Sequence, residues 1–397
     1  MTRDSTATIA TQLIHHGYQP PAGFEAPQVG VHKASTVIFD SVAAMRARNW
    51  RHKQGYTYGL NGTPTTFTLE ERIATLEGGD HCLLAPSGLA SLALVNQALL
   101  STGDEVLLPD NVYGPSREMA RHELARWGIT HRLYNPLDPA ALVASIGPQT
   151  RLVWLEAPGS VTMEFPDLAA LVEAARGRGV TTALDNTWGA GIAFRAFDFG
   201  IDIVMQALTK YASGGGDVLM GSVVTRDADL HERLKLAHMH LGLGVAANDA
   251  ELVLRSLSSM ALRYAAQDLA ARDLARWLRA RPEVRRVLHP ALEDSPGHGH
   301  WRESCTAAAG LFSVMLDERY SQAQVDAFVD HLQLFKIGYS WAGPMSLVMP
   351  YDLTAMRPDT VRRHDHLRGH LVRFSLGLEA VADLQADLAQ ALEAALA

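Results

Sequence analysis

Cysteine is nearly missing: Cys82 and Cys305 are the only two in 397 residues. A disulfide framework is therefore excluded, and a reduced, cytoplasmic setting is expected. Long apolar runs are missing too. None approaches the ~20 residues needed to span a bilayer, and the first residues, MTRDSTATIATQLIHHGYQPPAG, lack the apolar stretch of a signal peptide. A basic excess is likewise absent, since the formal net charge is -8, which argues against a nucleic-acid partner. The histidines have no metal-binding pattern: H-E-x-x-H does not occur, and His238/His240 and His364/His366 are spaced two apart, on different faces of any helix. No P-loop occurs either, because Lys210 precedes Gly214, Gly215 and Gly216 rather than following them. A dinucleotide-like G-x-G-x-x-A at Gly242, Gly244 and Ala247 follows ERLKLAHMH, a helical rather than strand-like context.

What is present is an ordinary enzyme-like composition, 47% hydrophobic and 20% charged, with length enough for two or three domains. Residues 1–60 are punctuated by Gly and Pro and read as an extended arm. From Thr63 helical and strand patterns alternate. TFTLEERIATLEGG has helical spacing and a Gly-Gly stop, and short apolar runs at 82–85, 105–109, 151–157, 180–185 and 201–206 read as buried strands. Strands apolar on both faces with helices between them predict an α/β domain built on a mainly parallel sheet sandwiched by helices. Near residue 250 the rhythm changes to one or two long helices stopped by Pro282, followed by mixed strands (310–316) and helices (321–335). The expected division is an arm over 1–60, a large domain over 61–255 and a smaller α+β domain over 256–397.

Ligands of open α/β sheets bind at the carboxyl ends of the strands, and four features fall there. Ser87 in LLAPSGLAS is placed to cap a helix whose Gly88 and Leu89 N–H groups can hold a phosphate; the plainer reading is capping alone. Tyr113 in LLPDNVYGPSRE suits stacking on a flat ring, or simple packing. Asp185 in TTALDNTWG is an acid at a strand end, able to pair with a protonated ring nitrogen or to close an Asx-turn. Lys210 in LTKYASGGGDVLMG is the fourth. A phosphate-binding helix start, a stacking tyrosine, an acid for a ring nitrogen and a lysine together suit pyridoxal phosphate.

These segments, in this order, resemble the cysteine/methionine-metabolism family of pyridoxal-phosphate enzymes, which has the aspartate-aminotransferase-like fold type I. LTKYASGGGDVLMG is similar to its lysine signature, PSGLAS to its phosphate turn, DNVYG to its stacking tyrosine and LDNTW to its pyridinium acid. EAPGSVTMEFPD (156–167) and FKIGYSWAGPMSLV (335–348) resemble the β-lyase branch, and LVRFSLGLEAVADLQADL (371–388) the segment that grips a substrate carboxylate. The resemblance implies Lys210 as Schiff-base lysine and proton shuttle, with phosphate contacts from Ser87, Gly88, Leu89 and Thr209. It implies Tyr113 on the ring, Asp185 on its nitrogen, Arg373 with Ser340 on the substrate carboxylate, and Tyr339 and Trp341 lining the pocket. Tyr56 and Tyr58 of the arm are implied to reach a neighbouring subunit's cofactor, within a homotetramer built from dimers.

The sequence departs from the family pattern in three places. Tyr58 stands where the arm's arginine is expected, Ala207 where a phosphate-contacting serine is common, and Gly214–Gly216 where the family has Gly-His-Ser. The implied activity is a carbon–sulfur β-lyase acting on cystathionine or a related cysteine thioether. The alternatives are a γ-lyase or γ-replacement synthase of the same family and, motivated by the departures, a non-catalytic relative.

Overall fold

The structure is a computed structural model, and it describes residues 7–16, 18, 22–51, 53, 55–357 and 365–396. Two sheets organise it. The first contains β1 (His81–Ala85), β2 (Glu105–Pro109), β3 (Thr130–Tyr134), β4 (Thr150–Glu156), β5 (Thr181–Asp185), β6 (Ile203–Gln206) and β7 (Gly221–Thr225). Their order is β1-β7-β6-β5-β4-β2-β3. Only β7 runs against its neighbours, so the other six strands deliver their carboxyl ends to one edge.

Five of these strands match the apolar runs read from the sequence. β3 and β7 escape that reading for physical reasons. THRLY is an edge strand with much of its length exposed, and GSVVT opens on glycine and serine, leaving only two consecutive apolar residues. Along each buried strand, successive side chains enter opposite cores. Leu83, Val106, Trp154, Ile203 and Val223 pack on one face, and Leu84, Leu107, Leu155, Val204 and Val224 on the other. The helix Pro64–Glu77 starts on a reciprocal Thr63/Thr66 capping box with Pro64 in its first turn, and stops at left-handed Gly78. Glu70 from that helix accepts the Leu84 N–H at 3.3 Å, while His238 donates to the Leu84 carbonyl at 2.9 Å. Side chains thus close the outer edge of β1, and His238 has a structural role; His364 lies outside the described residues.

The second sheet, ordered β10-β11-β12-β9-β8, contains β8 (Val284–Leu288), β9 (Leu311–Leu316), β10 (Lys336–Ile337), β11 (Leu347–Tyr351) and β12 (His370–Ser375). Helices Gln322–His331 and Val381–Leu396 cover it through Phe328, Leu384 and Leu388. Between the sheets runs one 33-residue helix, Ala247–Arg279, with Pro282 just beyond it. Its Val253, Leu257 and Tyr264 belong to the first core, and its Leu274 and Leu278 to the second. The expected domain boundary at 255/256 falls inside this helix.

The N-terminal arm is not uniformly extended. Helix Ile9–Ile14 buries Leu13 in the main core. Further along, Phe24, Ile38 and Val42 are exposed.

Candidate active site

The four features expected at strand ends do lie along one edge of the first sheet. Ser87 follows β1, Tyr113 follows β2, Asp185 ends β5, and Thr209 and Lys210 follow β6. Ser87 caps helix Gly88–Leu99 by accepting the Ala90 N–H at 3.0 Å. Its hydroxyl is used as the plainer reading held, while Gly88 and Leu89 occupy the first turn, whose N–H groups have no partner inside a helix. Gly88 also has no room for a side chain, because a Cβ there would lie 2.6 Å from the Cβ of Ala207. The helix start is therefore pressed directly onto the end of β6. The hydroxyl of Thr209 donates to the Met220 carbonyl at 3.2 Å and accepts the Met220 N–H at 3.1 Å.

Asp185 accepts from the Thr187 N–H at 3.0 Å and the Thr187 hydroxyl at 2.5 Å, both at Oδ1. Among the described residues its Oδ2 accepts nothing. The same Thr187 oxygen accepts the Ala207 N–H at 2.9 Å, so one hydroxyl ties the ends of β5 and β6 together. Burial raises the Asp185 carboxyl above its ordinary value, opposed by the bonds to Thr187 and by the charge of Lys210. Next to Asp185, Asn186 donates to Glu77 at 2.9 and 3.2 Å, and Gln206 also donates to Glu77. Burial pushes Glu77 up to about 7.

Lys210 donates to Ser340 Oγ at 2.6 Å, and its ammonium lies 5.4 Å from the Trp341 ring centroid. Burial and the nearby Arg373 charge bring the amine down to about 8, opposed by Asp185. Ser340 and Ala342 both have positive φ, 88° and 65°, a conformation that non-glycine residues adopt at a cost. Trp341 packs edge-on against buried Tyr211, at 5.5 Å. Tyr339 is well exposed, at 78%.

Arg373 lies in β12, between Met349 of β11 and Ser313 of β9. It is only 7% exposed, yet one of its bonds goes to the Ser340 carbonyl at 3.2 Å and its Nε has no hydrogen-bond partner among the described residues. Its guanidinium sits 5.2 Å over the Tyr351 ring, and burial lowers its affinity for its proton. Tyr113 presents 41% of its surface, and its N–H donates to Glu156 Oε2 at 2.8 Å. Burial first, and then Asp185, push the Glu156 carboxyl well above the usual range.

Sequence reading missed Glu156, Thr187 and the Glu77–Asn186–Gln206 cluster. Only Thr187 carried a local signal, since Asp-x-Thr is a side-chain turn pattern. The others come together only in the fold: Glu77 ends the helix Pro64–Glu77, while Glu156 and Gln206 end strands β4 and β6. Within the run Gly214–Gly216, Gly214 meets a steric need. Gly214 has φ 62°, and a Cβ there would lie 2.0 Å from Arg263 Nη1, whose guanidinium donates to the Tyr211 carbonyl at 2.9 Å. The arm residues Tyr56 and Tyr58 are 44% and 50% exposed; Tyr56 stacks on Phe67 and Tyr58 forms a bridge with Thr36.

The profile of the family described as Cys/Met metabolism PLP-dependent enzyme matches residues 10–393. The chain is 41% identical over 394 residues to a protein of Rhizobium johnstonii named putative cystathionine beta-lyase, covering 98% of this chain and 97% of that one. It is 36% identical to cystathionine beta-lyase MetC of Escherichia coli, over 95% and 96% of the two chains. The crystal structure of metB from Corynebacterium glutamicum superimposes with a TM-score of 0.87, covering 98% of both chains at 27% identity.

Proposed function

The chain belongs to the Cys/Met metabolism family of pyridoxal-phosphate-dependent enzymes, and we propose that its reaction is the β-cleavage of L-cystathionine to homocysteine, pyruvate and ammonia. Its cofactor is pyridoxal 5'-phosphate. The residues fit that group. The first turn of a helix has a glycine where any side chain would collide, an acid has one oxygen still to accept, and a lysine amine is brought to about 8. When bound, the cofactor supplies an electron-withdrawing ring that stabilises negative charge at the substrate α-carbon.

The chain's own groups do the rest. Gly88 and Leu89 N–H groups bind the phosphate. Thr209 joins them if its hydroxyl turns from Met220, and Ala207 adds no donor. Asp185, held by Thr187, keeps the ring nitrogen protonated, and Tyr113 stacks on the ring face. Lys210 supplies the amine that anchors the cofactor. With cofactor and substrate in place, Lys210 Nζ would remove the α-proton and then protonate the departing sulfur. The Cβ–S bond breaks with its electron pair on sulfur, giving homocysteine, and water completes release of pyruvate and ammonia. Arg373, buried and with Nε unpartnered among the described residues, binds the α-carboxylate through its planar fork. Trp341 and Tyr339 line the pocket.

The observation that carries this reading is the Lys210–Ser340 contact of 2.6 Å. It brings the base from the cofactor half to the loop beside Arg373. Incubation with L-cystathionine is expected to yield homocysteine, pyruvate and ammonia in equal amounts. Cysteine and 2-oxobutyrate in their place would mean γ-chemistry on the same lysine and would overturn it. The working unit we propose is a homotetramer built from two dimers whose active sites are shared through the arms, supported by the exposed Tyr56 and Tyr58. Among the described residues no helix is long and apolar enough to cross a membrane. The proposed compartment is the cytoplasm, in keeping with two free cysteines.

A further inference from the structure

The segment EAPGSVTMEFPD takes little part in the chemistry above, yet its backbone is unusual. Val161 and Met163 have φ of 67° and 57°, two of six non-glycine positive values among the described residues. For a β-branched valine this is a true outlier, and such geometry persists only where the surroundings over-determine it. The surroundings here come from both halves of the molecule. Ser160 N–H donates to the Asn111 carbonyl at 2.9 Å, and Ser313 of β9 donates to the Val161 carbonyl at 2.5 Å. Gly159 is packed so closely that a Cβ would lie 1.9 Å from Asn111 Nδ2.

At the centre is a buried ion pair. Arg357 donates to Glu164 at 2.9 and 3.1 Å, to Thr162 Oγ1 at 3.0 Å and to Asp110 Oδ1 at 2.8 Å. Glu164 further accepts from Asn111 at 2.7 Å, from Thr162 at 2.6 Å and from His366 at 3.1 Å. Burial works against its charge, but the His366 bond and the Arg357 charge hold the carboxyl far below the usual range. The pair therefore stays ionised at any working pH.

Its position matters more than its strength, because a buried ion pair contributes little net stability. Asp110 and Asn111 form the turn that ends at Tyr113, and Arg117, just beyond Tyr113, donates to the Met356 carbonyl. Arg357 itself follows helix Leu353–Met356, which continues from β11. In β11, Met349 pairs with Arg373, and the Tyr351 ring lies beneath the Arg373 guanidinium. One stretch, Met349–Arg357, thus touches both the carboxylate-binding arginine and the tyrosine turn.

We propose that the Glu164–Arg357 pair is a positioning element of the active site, fixing Tyr113 on the cofactor half at a set separation from Arg373 on the substrate half. The inference rests on the roles given to Tyr113 and Arg373 above. Two readouts on the holoenzyme test it. In Arg357→Met, cofactor content is expected to hold while cystathionine turnover falls about 10- to 100-fold, the cost of a small misplacement. In a Tyr113→Ala background the same change costs little more, since both act through one contact. Hydrogen exchange across residues 110–119, followed with and without pyridoxal phosphate, is expected to accelerate in Arg357→Met and in Glu164→Gln. If Arg357→Met does not fold, Arg357→Lys replaces it, because an ammonium cannot bridge Asp110 and Glu164 as the fork does. Equal losses in both backgrounds, or unchanged exchange over 110–119, overturn the proposal. A wild-type protein that leaves cystathionine intact overturns the proposed function instead, and the exchange readout still decides the positioning role.

Discussion

Lys210 carries an energetic cost that its function requires. Its amine titrates at about 8 in the fold against an ordinary 10.5, so the unfolded chain holds that proton more tightly. Without cofactor, the penalty is complete below about pH 8, and stability recovers as pH rises from there towards 10.5. Lys210→Met is therefore expected to melt higher than wild type at pH 7 in the cofactor-free state, with the gap narrowing above pH 8. A gap independent of pH in calorimetry would contradict the assignment. Thr187 is the second residue with a clear forecast. Thr187→Val leaves the Ala207 N–H without its acceptor and Asp185 without its closest donor. The expected loss is ~1–3 kcal/mol of stability, together with weaker cofactor binding. Denaturant titration and cofactor titration read these separately, and an unchanged value in both would show that Thr187 is dispensable.

At the scale of elements, the helix Gly88–Leu99 is the piece whose placement decides cofactor binding. Its N-terminus meets the end of β6 with no space for a methyl group at Gly88. Gly88→Ala is expected to push the turn off β6 and weaken cofactor affinity about tenfold or more, the equivalent of ~1.4 kcal/mol. Gly216→Ala is the control. That residue also has a positive φ, 77°, but open space around it, so only a backbone cost of roughly 1–2 kcal/mol is expected, with affinity unchanged. Equal effects of the two on affinity would refute the packing argument. The elements differ in how visible they are before folding. β2 was readable to the residue because EVLLP is buried throughout. β3 was not, because an edge strand spends much of its length in water and loses the apolar signal.

For the whole molecule, the arm and the seam between the two sheets are decisive. With Tyr56 and Tyr58 exposed on the protomer, the shared-site arrangement predicts complementation. Co-expressed Lys210→Ala and Tyr56→Ala chains should recover activity that neither has alone, because a hybrid contains one site with both residues intact. Failure of recovery in a demonstrated hybrid, or an active monomer in sedimentation, would rule the arrangement out. The seam works the other way, joining parts of one chain far apart in sequence.

By itself the sequence determined the alternation of elements, the identity of the cofactor and the separate candidates Tyr113, Asp185 and Lys210, because apolar periodicity and short strand-end motifs are local properties; Arg373 was named by the family resemblance alone. Only the tertiary structure decided what supports them. Glu156 beside Tyr113, Thr187 between Asp185 and Ala207, Lys210 on Ser340, and Arg357 against Asp110 and Glu164 are contacts between residues 20 to 247 positions apart, apart from Thr187 and its own strand end. No local pattern records such pairs. They arise when parallel strands bring their carboxyl ends to one edge and the second sheet closes over it.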